Sequence, residues 1–329
     1  MSDEKKTDDT YVRKFGFRRF SGVRENRINR VITVAWFNLI ESIKQSGLTK
    51  LLLIFMFFSL LIQDALLIVL STFLPFGIIG DITITELFRG AYIDSVLGMV
   101  SLTNRITTPL TASMSFFTSF TSVTTSFIWL LLLVRIGGGL IADDRLYRTT
   151  EMYLSRISRI EYLIGKLGSL VIFSCIIVVL PALIQFFLLG AGLQIDLLFH
   201  LDLLFWAFGF TFTAAVILSF FVLSISSLTE RRNVATLASF ILALSLSILP
   251  TAIGGAFATG TAFLALDFVG CIAVSALVIL GFDSILVNFQ TVDLFDNAGF
   301  EAYMSFASTL VVVLICGVIM VNFMYREGS

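Results

Sequence analysis

Few side chains in this 329-residue sequence are placed to do chemistry, and the first such pair is Gln63–Asp64, set inside a run of Leu, Ile and Phe. An ionisable group there costs about 2.5–3.5 kcal/mol on membrane-insertion scales, so it needs a reason. It could face a polar translocation path or a dimer interface, or be satisfied by Ser and Thr of a neighbouring span. Ten hydroxyl side chains between Thr111 and Ser126 pose a similar choice, between lining a polar route and bonding across helices. His200 sits near Asp196 and Asp202. A solvated loop accounts for one imidazole and two carboxylates, and no metal is assigned. Gly137, Gly139 and Ala142 fit the dinucleotide pattern G-x-G-x-x-A, but they follow an apolar run rather than a strand. Small residues there allow close helix packing. A phosphate-cradling G-x-x-x-x-G-K-[ST] loop is missing: Gly165-Lys166 precedes Leu167, and no glycine stands five residues before Gly165. With no nucleophile–base constellation either, the chain itself is expected not to be catalytic and to hold no cofactor.

The elements that must carry these residues are membrane helices. Apolar residues make up 57% and charged residues 14%, against about a quarter charged in a soluble domain. The apolar excess lies in blocks of the roughly 20 residues that a bilayer core demands. Six blocks read as full spans, at about 50–76, 114–140, 164–190, 203–228, 234–258 and 305–325. The first 30 residues are polar with no apolar h-region, so the first long run is expected to be an uncleaved insertion signal. Cys175, Cys271 and Cys316 all lie in apolar runs and have no metal-ligand spacing. The net charge of −1 gives no sign of nucleic-acid binding.

Lysine and arginine orient the spans, because basic residues of short loops stay in the cytosol. Of 22 basic residues, 20 fall on one side when six spans are drawn, and only Arg89 and Arg105 fall on the other. Both termini are then cytoplasmic, as expected for a multi-pass protein of the cell membrane. A seventh apolar stretch, 263–282, would place Arg326 outside if it crossed. It would also bring the acidic loop with Asp283, Asp293, Asp296 and Glu301 inside. A re-entrant or external hairpin is expected there instead, its exposed backbone covered by protein. The fold class is therefore an all-α polytopic membrane protein with six transmembrane helices and this hairpin before the last.

Two polar-faced segments lie on the basic side. After a polar tail, 1–27, the apolar residues Ile28, Val31, Ile32, Ala35, Trp36, Leu39, Ile40 and Ile43 recur at helical spacing. Residues 28–46 are read as an amphipathic helix lying in the membrane interface. The second segment, Ile141–Lys166, joins spans two and three. Leu146, Tyr153, Ile157, Ile160 and Ile164 share a helical face, and Asp143 and Asp144 are read at a helix N-terminus, where negative charge is welcome. Such an insert suits docking into a groove on a soluble partner, or else a positive-inside loop held at the membrane surface.

This second segment resembles the intracellular segment of the ABC-2 family of ABC transporter permeases. The likeness rests on Ala142-Asp143-Asp144-Arg145, Tyr153-Leu154-Ser155-Arg156, Ser158-Arg159, Glu161-Tyr162 and Gly165-Lys166-Leu167. The family pattern has proline where Ile157 stands, so here no proline enforces a break between two short helices. Pro181, the Ser226–Arg232 turn, the basic end of the last span and an "elbow" helix before span one are similarly placed. The resemblance implies a transmembrane domain over 50–329 that pairs with a second permease copy or paralogue in the lipid bilayer. It also implies separate ABC ATPase subunits carrying ATP and Mg. Their docking residues would be Asp143, Asp144, Arg145, Glu151, Tyr153, Ser155, Arg156, Ser158 and Arg159, in a cytosolic coupling helix. Gln63 and Asp64 remain candidates for the path or the dimer interface. An ATP-independent secondary transporter or channel is the alternative; such folds often carry internal repeats, and none is evident here.

Overall fold

A computed structural model of the chain describes residues 26–45, 47–73, 84–85, 88–89, 92–93, 95–96, 109–154, 157–257, 266–279 and 298–326. Its helices are α1 (Arg27–Gln45), α2 (Gly47–Phe73), α3 (Pro109–Leu146), α4 (Thr149–Leu154) and α5 (Arg159–Gly192). A 3₁₀ turn, Leu197–His200, leads into α6 (Leu201–Leu228), α7 (Arg232–Phe257), α8 (Phe268–Ile279) and α9 (Ala298–Arg326). Among the described residues there is no strand. Six helices, α2, α3, α5, α6, α7 and α9, are long and apolar enough to cross a membrane, as the sequence leads one to expect.

The seventh apolar stretch forms α8, whose 12 residues rise only about 18 Å, well short of a hydrocarbon core of about 30 Å. It packs on α9, α6 and α7. Its start is fixed by Asp267, fully buried, whose Oδ1 accepts a hydrogen bond from the Gly270 N–H at 3.0 Å. That carboxylate caps the free amides and meets the positive end of the helix dipole. The flanking stretches 258–265 and 280–297, with Asp283, Asp293 and Asp296 of the acidic loop, lie outside the described residues, while Glu301 falls in the first turn of α9.

α3 is the central span. It contacts α2, α5, α6 and α7, and 78% of the most apolar 18 residues within Ser126–Leu146 are buried, against 28% or less in the same measure for α2, α7 and α9. Its three glycines make this possible. A Cβ on Gly138 would stand 2.6 Å from Thr236 Oγ1 and 2.9 Å from the Thr236 backbone nitrogen, so α7 rests on bare backbone there. Across from it, Ser226 Oγ of α6 donates to Gly138 O at 2.9 Å and accepts from the Ala142 N–H at 3.2 Å. The hydroxyl thus stitches α6 to α3 where neither helix can spare a side chain. The glycine run serves packing, as the sequence reading holds.

α1 lies against α5. Ala35 and Leu39 are buried in that contact, and Gly165 of α5 admits Val34, which a Cβ would approach to 2.9 Å. Ile28, Ile32 and Trp36 remain exposed, each by more than half. The apolar stripe read as one face is therefore divided, one half toward α5 and the other outward.

A larger side chain at position 138 has nowhere to go but against the α7 backbone. Gly138→Val is expected to cost about 1–3 kcal/mol by overpacking, read as a lowered melting temperature of the purified chain in detergent. Gly317→Val, at a glycine with nothing within 4 Å, serves as the control and should melt like the parent.

Candidate functional site

At one end of the bundle α1, α3, α4, α5 and α7 meet around a cavity of about 490 Å³, with Asn38, Glu41, Asp143, Asp144, Tyr153, Lys166 and Arg232 among its walls. Lys166 is its centre. Only 2% exposed, its Nζ lies 2.8 Å from Asp144 Oδ2 and donates to Asn38 Oδ1 at 3.0 Å. The rings of Tyr153 and Tyr162 stand 5.6 and 5.5 Å from the same nitrogen, within cation–π range. Asp144 in turn accepts from Tyr162 OH at 2.6 Å and from Thr149 Oγ1 at 3.0 Å. Asp143 pairs with Arg232 at 3.7 Å. Arg145 leaves the cavity and donates to Ser227 O at 2.9 Å, pairs with Glu230 and covers the Phe323 ring.

This geometry revises one expectation. Asp143 and Asp144 occupy the last turn of α3, at a helix C-terminus rather than an N-terminus. The helix dipole disfavours carboxylates there, and Lys166, Arg232, Tyr162 and Thr149 offset it. Nor does a single helical face run from Leu146 to Ile164. A turn at Tyr147–Arg148, with Arg148 at φ 54°, ends α3, and a second interruption separates α4 from α5.

That second break needs no proline. Ser158 caps α5: its Oγ accepts from the Glu161 N–H at 3.3 Å, and Glu161 Oε2 accepts from the Ser158 N–H at 3.2 Å. The reciprocal box satisfies two amides at the start of the helix. Glu161 also holds Arg30 of α1 at 3.4 Å and Arg27 at 3.8 Å. Burial, with the Asp144 and Glu41 carboxylates near, pushes the Tyr153 phenol above its ordinary value, so it stays neutral beside Lys166.

The residues read as docking candidates therefore part company. Asp143, Asp144, Arg145 and Tyr153 belong to the internal network, and Ser158 is a cap. Arg159 is exposed at the start of α5, near exposed Ile160, and Tyr147 and Arg148 are exposed at the turn. Glu151 lies in α4 with its side chain outside the described residues, as Ser155 and Arg156 are entirely. The side chains of the hydroxyl run from Thr111 to Thr125 also fall outside them.

Toward the opposite end of the bundle, Gln63 and Asp64 are buried in α2, and Gln185 Nε2 of α5 donates to Asp64 Oδ1 at 2.8 Å. Asp202 pairs with Arg89 at 3.0 Å, Asp196 caps the 3₁₀ turn, and His200 packs beside Phe88. Among the described residues no three His, Cys, Asp or Glu side chains group as metal ligands. The sequence reading missed Asn38, Tyr162, Lys166, Arg232 and Gln185 as site residues. A charged or amide side chain inside an apolar block was the signal for Lys166 and Gln185, the same signal that marked Asp64.

Compared with known proteins, the chain matches no family model, no curated protein and no solved structure.

The network rests on one buried ion pair, and removing one partner strands the other charge. Lys166→Met is expected to lose about 3–5 kcal/mol, and the double variant with Asp144→Asn to recover part of that; denaturant titration of the purified chain measures both. Ser158→Ala, which removes a cap, should cost about 1 kcal/mol.

Proposed function

We propose that this chain is the membrane-spanning permease subunit of an ATP-binding cassette exporter, not itself catalytic. Two copies, or one copy and a paralogue, form the translocation path. Separate ATPase subunits, which carry ATP and Mg, dock on the basic end. With 20 of 22 basic residues assigned to that end, it faces the cytosol, and both termini lie there. In this reading α1 is the elbow helix, its exposed Ile28, Ile32 and Trp36 entering the lipid interface. α8 and the stretch around it belong to the outer side.

One observation carries the reading. The short helix α4 is held between the ends of two long spans: its Thr149 donates to Asp144 of α3, and its Tyr153 ring lies over Lys166 and beside Tyr162 of α5. A push on the outward residues beside it, Tyr147, Arg148 and Ile160, therefore reaches the spans without being lost in a slack loop. This is what an ATPase closing on its substrate-free or loaded permease requires. The resemblance of Asp143–Lys166 to the ABC-2 segment supplies the class of partner. The buried Asp64–Gln185 pair favours the second reading, a transporter driven by ions rather than ATP, because such machines keep ionisable groups inside the membrane.

Co-expression with a separate ABC ATPase subunit from the same genome is expected to yield a stable complex whose ATP hydrolysis depends on the permease. Arg148→Glu combined with Ile160→Glu should weaken that complex at least about tenfold, equivalent to about 1.4 kcal/mol, while leaving the permease folded. Cargo movement by the purified chain alone, without ATP or a partner, would overturn the reading.

A further inference from the structure

Asp64 and Gln185 face each other from α2 and α5, each only 1% exposed. The amide of Gln185 gives its Nε2–H to Asp64 Oδ1 at 2.8 Å. A primary amide carries its acceptor on the same carbon, and Gln185 Oε1 is buried without a hydrogen-bond partner among the described residues. Oε1 of Gln63, next to Asp64 in the chain and 6% exposed, is in the same state. Among the described residues no donor reaches either of these two amide oxygens. An ionised carboxylate adds two more acceptor oxygens and supplies no donor, whereas a carboxylic acid supplies one O–H.

Among the described residues no counter-charge stands in for that donor, and the helices packed most on α2 are α1, α3 and α5. Their described charged residues are Arg27, Arg30, Glu41 and Lys44 on α1, Arg135, Asp143, Asp144 and Arg145 on α3, and Arg159, Glu161 and Lys166 on α5. None pairs with Asp64, whose side chain, among the described residues, is hydrogen-bonded to Gln185. Tyr92, a titratable phenol packed on Phe186 at 5.5 Å, makes no hydrogen bond to it. A buried, unpaired carboxylate is among the costliest groups a protein can hold, and an apolar bilayer around the bundle offers it no relief.

We propose that Asp64 is a proton-binding site: the acid O–H on Oδ2 is donated to Gln185 Oε1 while Nε2–H is donated to Oδ1, closing a cyclic acid–amide pair between α2 and α5. Both faces of the amide are then satisfied, and the orphaned Gln185 carbonyl is explained. The ligand is a proton, which needs no cavity. The pair holds only while α2 and α5 stay together. When they part and water enters, the carboxyl is solvated and gives its proton to water. Separation of these two spans is therefore linked to uptake and release of one proton per chain. The assignment is independent of the exporter reading and of any ATPase.

Infrared spectroscopy of the full chain in lipid bilayers tests it directly, with aspartate carboxyls labelled with carbon-13. At about pH 7 exposed aspartates, with ordinary values of about 3.9, are ionised and silent in the protonated-acid carbonyl region. The wild-type chain is expected to show a protonated-acid band, shifted by the label, that falls by one aspartic acid per molecule in Asp64→Asn. Absence of that band from the wild type, or an undiminished band in Asp64→Asn, overturns the proposal. Should Asp64→Asn fail to accumulate, Asp64→Glu is expected to move the band from aspartate-labelled to glutamate-labelled protein, and a band that stays put overturns it equally. Neither outcome bears on co-purification with an ATPase, so the two readings fail separately.

Discussion

A single ammonium group, that of Lys166, organises the basic end of this bundle. Stripped of water, it must be met from every side, and the sides available belong to different helices: Asp144 from α3, Asn38 from α1 and the Tyr153 ring from α4. Each partner constrains its helix. Asp144 must sit in the last turn of α3, where the dipole is against it, and Tyr162 and Thr149 gather around it in consequence. The ion pair need not be a net source of stability, since desolvation can consume the Coulombic gain. It does fix position. A misplaced α3 or α5 would leave a bare charge, so few alternative arrangements compete.

The bilayer sets the opposite constraint on the rest of the molecule. Where lipid is the solvent, burying an apolar side chain gains little, and helices associate by close packing and hydrogen bonds. α3 shows this: its glycines bring α6 and α7 to backbone contact, and Ser226 joins the resulting seam. α2, α7 and α9 keep broad outer faces of Leu, Ile, Val and Phe, as lipid contact allows. The polar exceptions, Asp64 with Gln185 and Asp267 at the start of α8, each have a named hydrogen bond.

How much of this was legible in the sequence depended on the range of the interaction. The six spans and α1 follow from block length and local periodicity, and the boundaries differ from the expected ones chiefly where helices run past the apolar block. α5 begins at Arg159, five residues before its apolar run, because the Ser158–Glu161 box starts it there. That box is a plain S-x-x-E pattern, legible in the sequence without any proline at Ile157. The glycine run was read correctly because a small residue says the same thing in any helix. The docking residues were harder. Whether Asp143 faces a partner or Arg232 depends on where α7 lies, 89 residues further on, and no local pattern encodes that. Gln185 was equally invisible as a partner for Asp64, since the two are 121 residues apart.

The distance along the chain between Asn38 and Lys166, 128 residues, has a consequence for biogenesis. At about 5–20 residues per second, α1 leaves the ribosome about 6–26 seconds before the lysine it will bind. Until then its buried face, Ala35, Asn38 and Leu39, has no helix to rest on. In the exporter reading, the outward half of its stripe, Ile28, Ile32 and Trp36, holds it at the membrane meanwhile. On that reading the divided stripe serves two successive neighbours, first the lipid surface alone and then the lipid surface with α5. A helix with a single apolar face would have to leave one to meet the other.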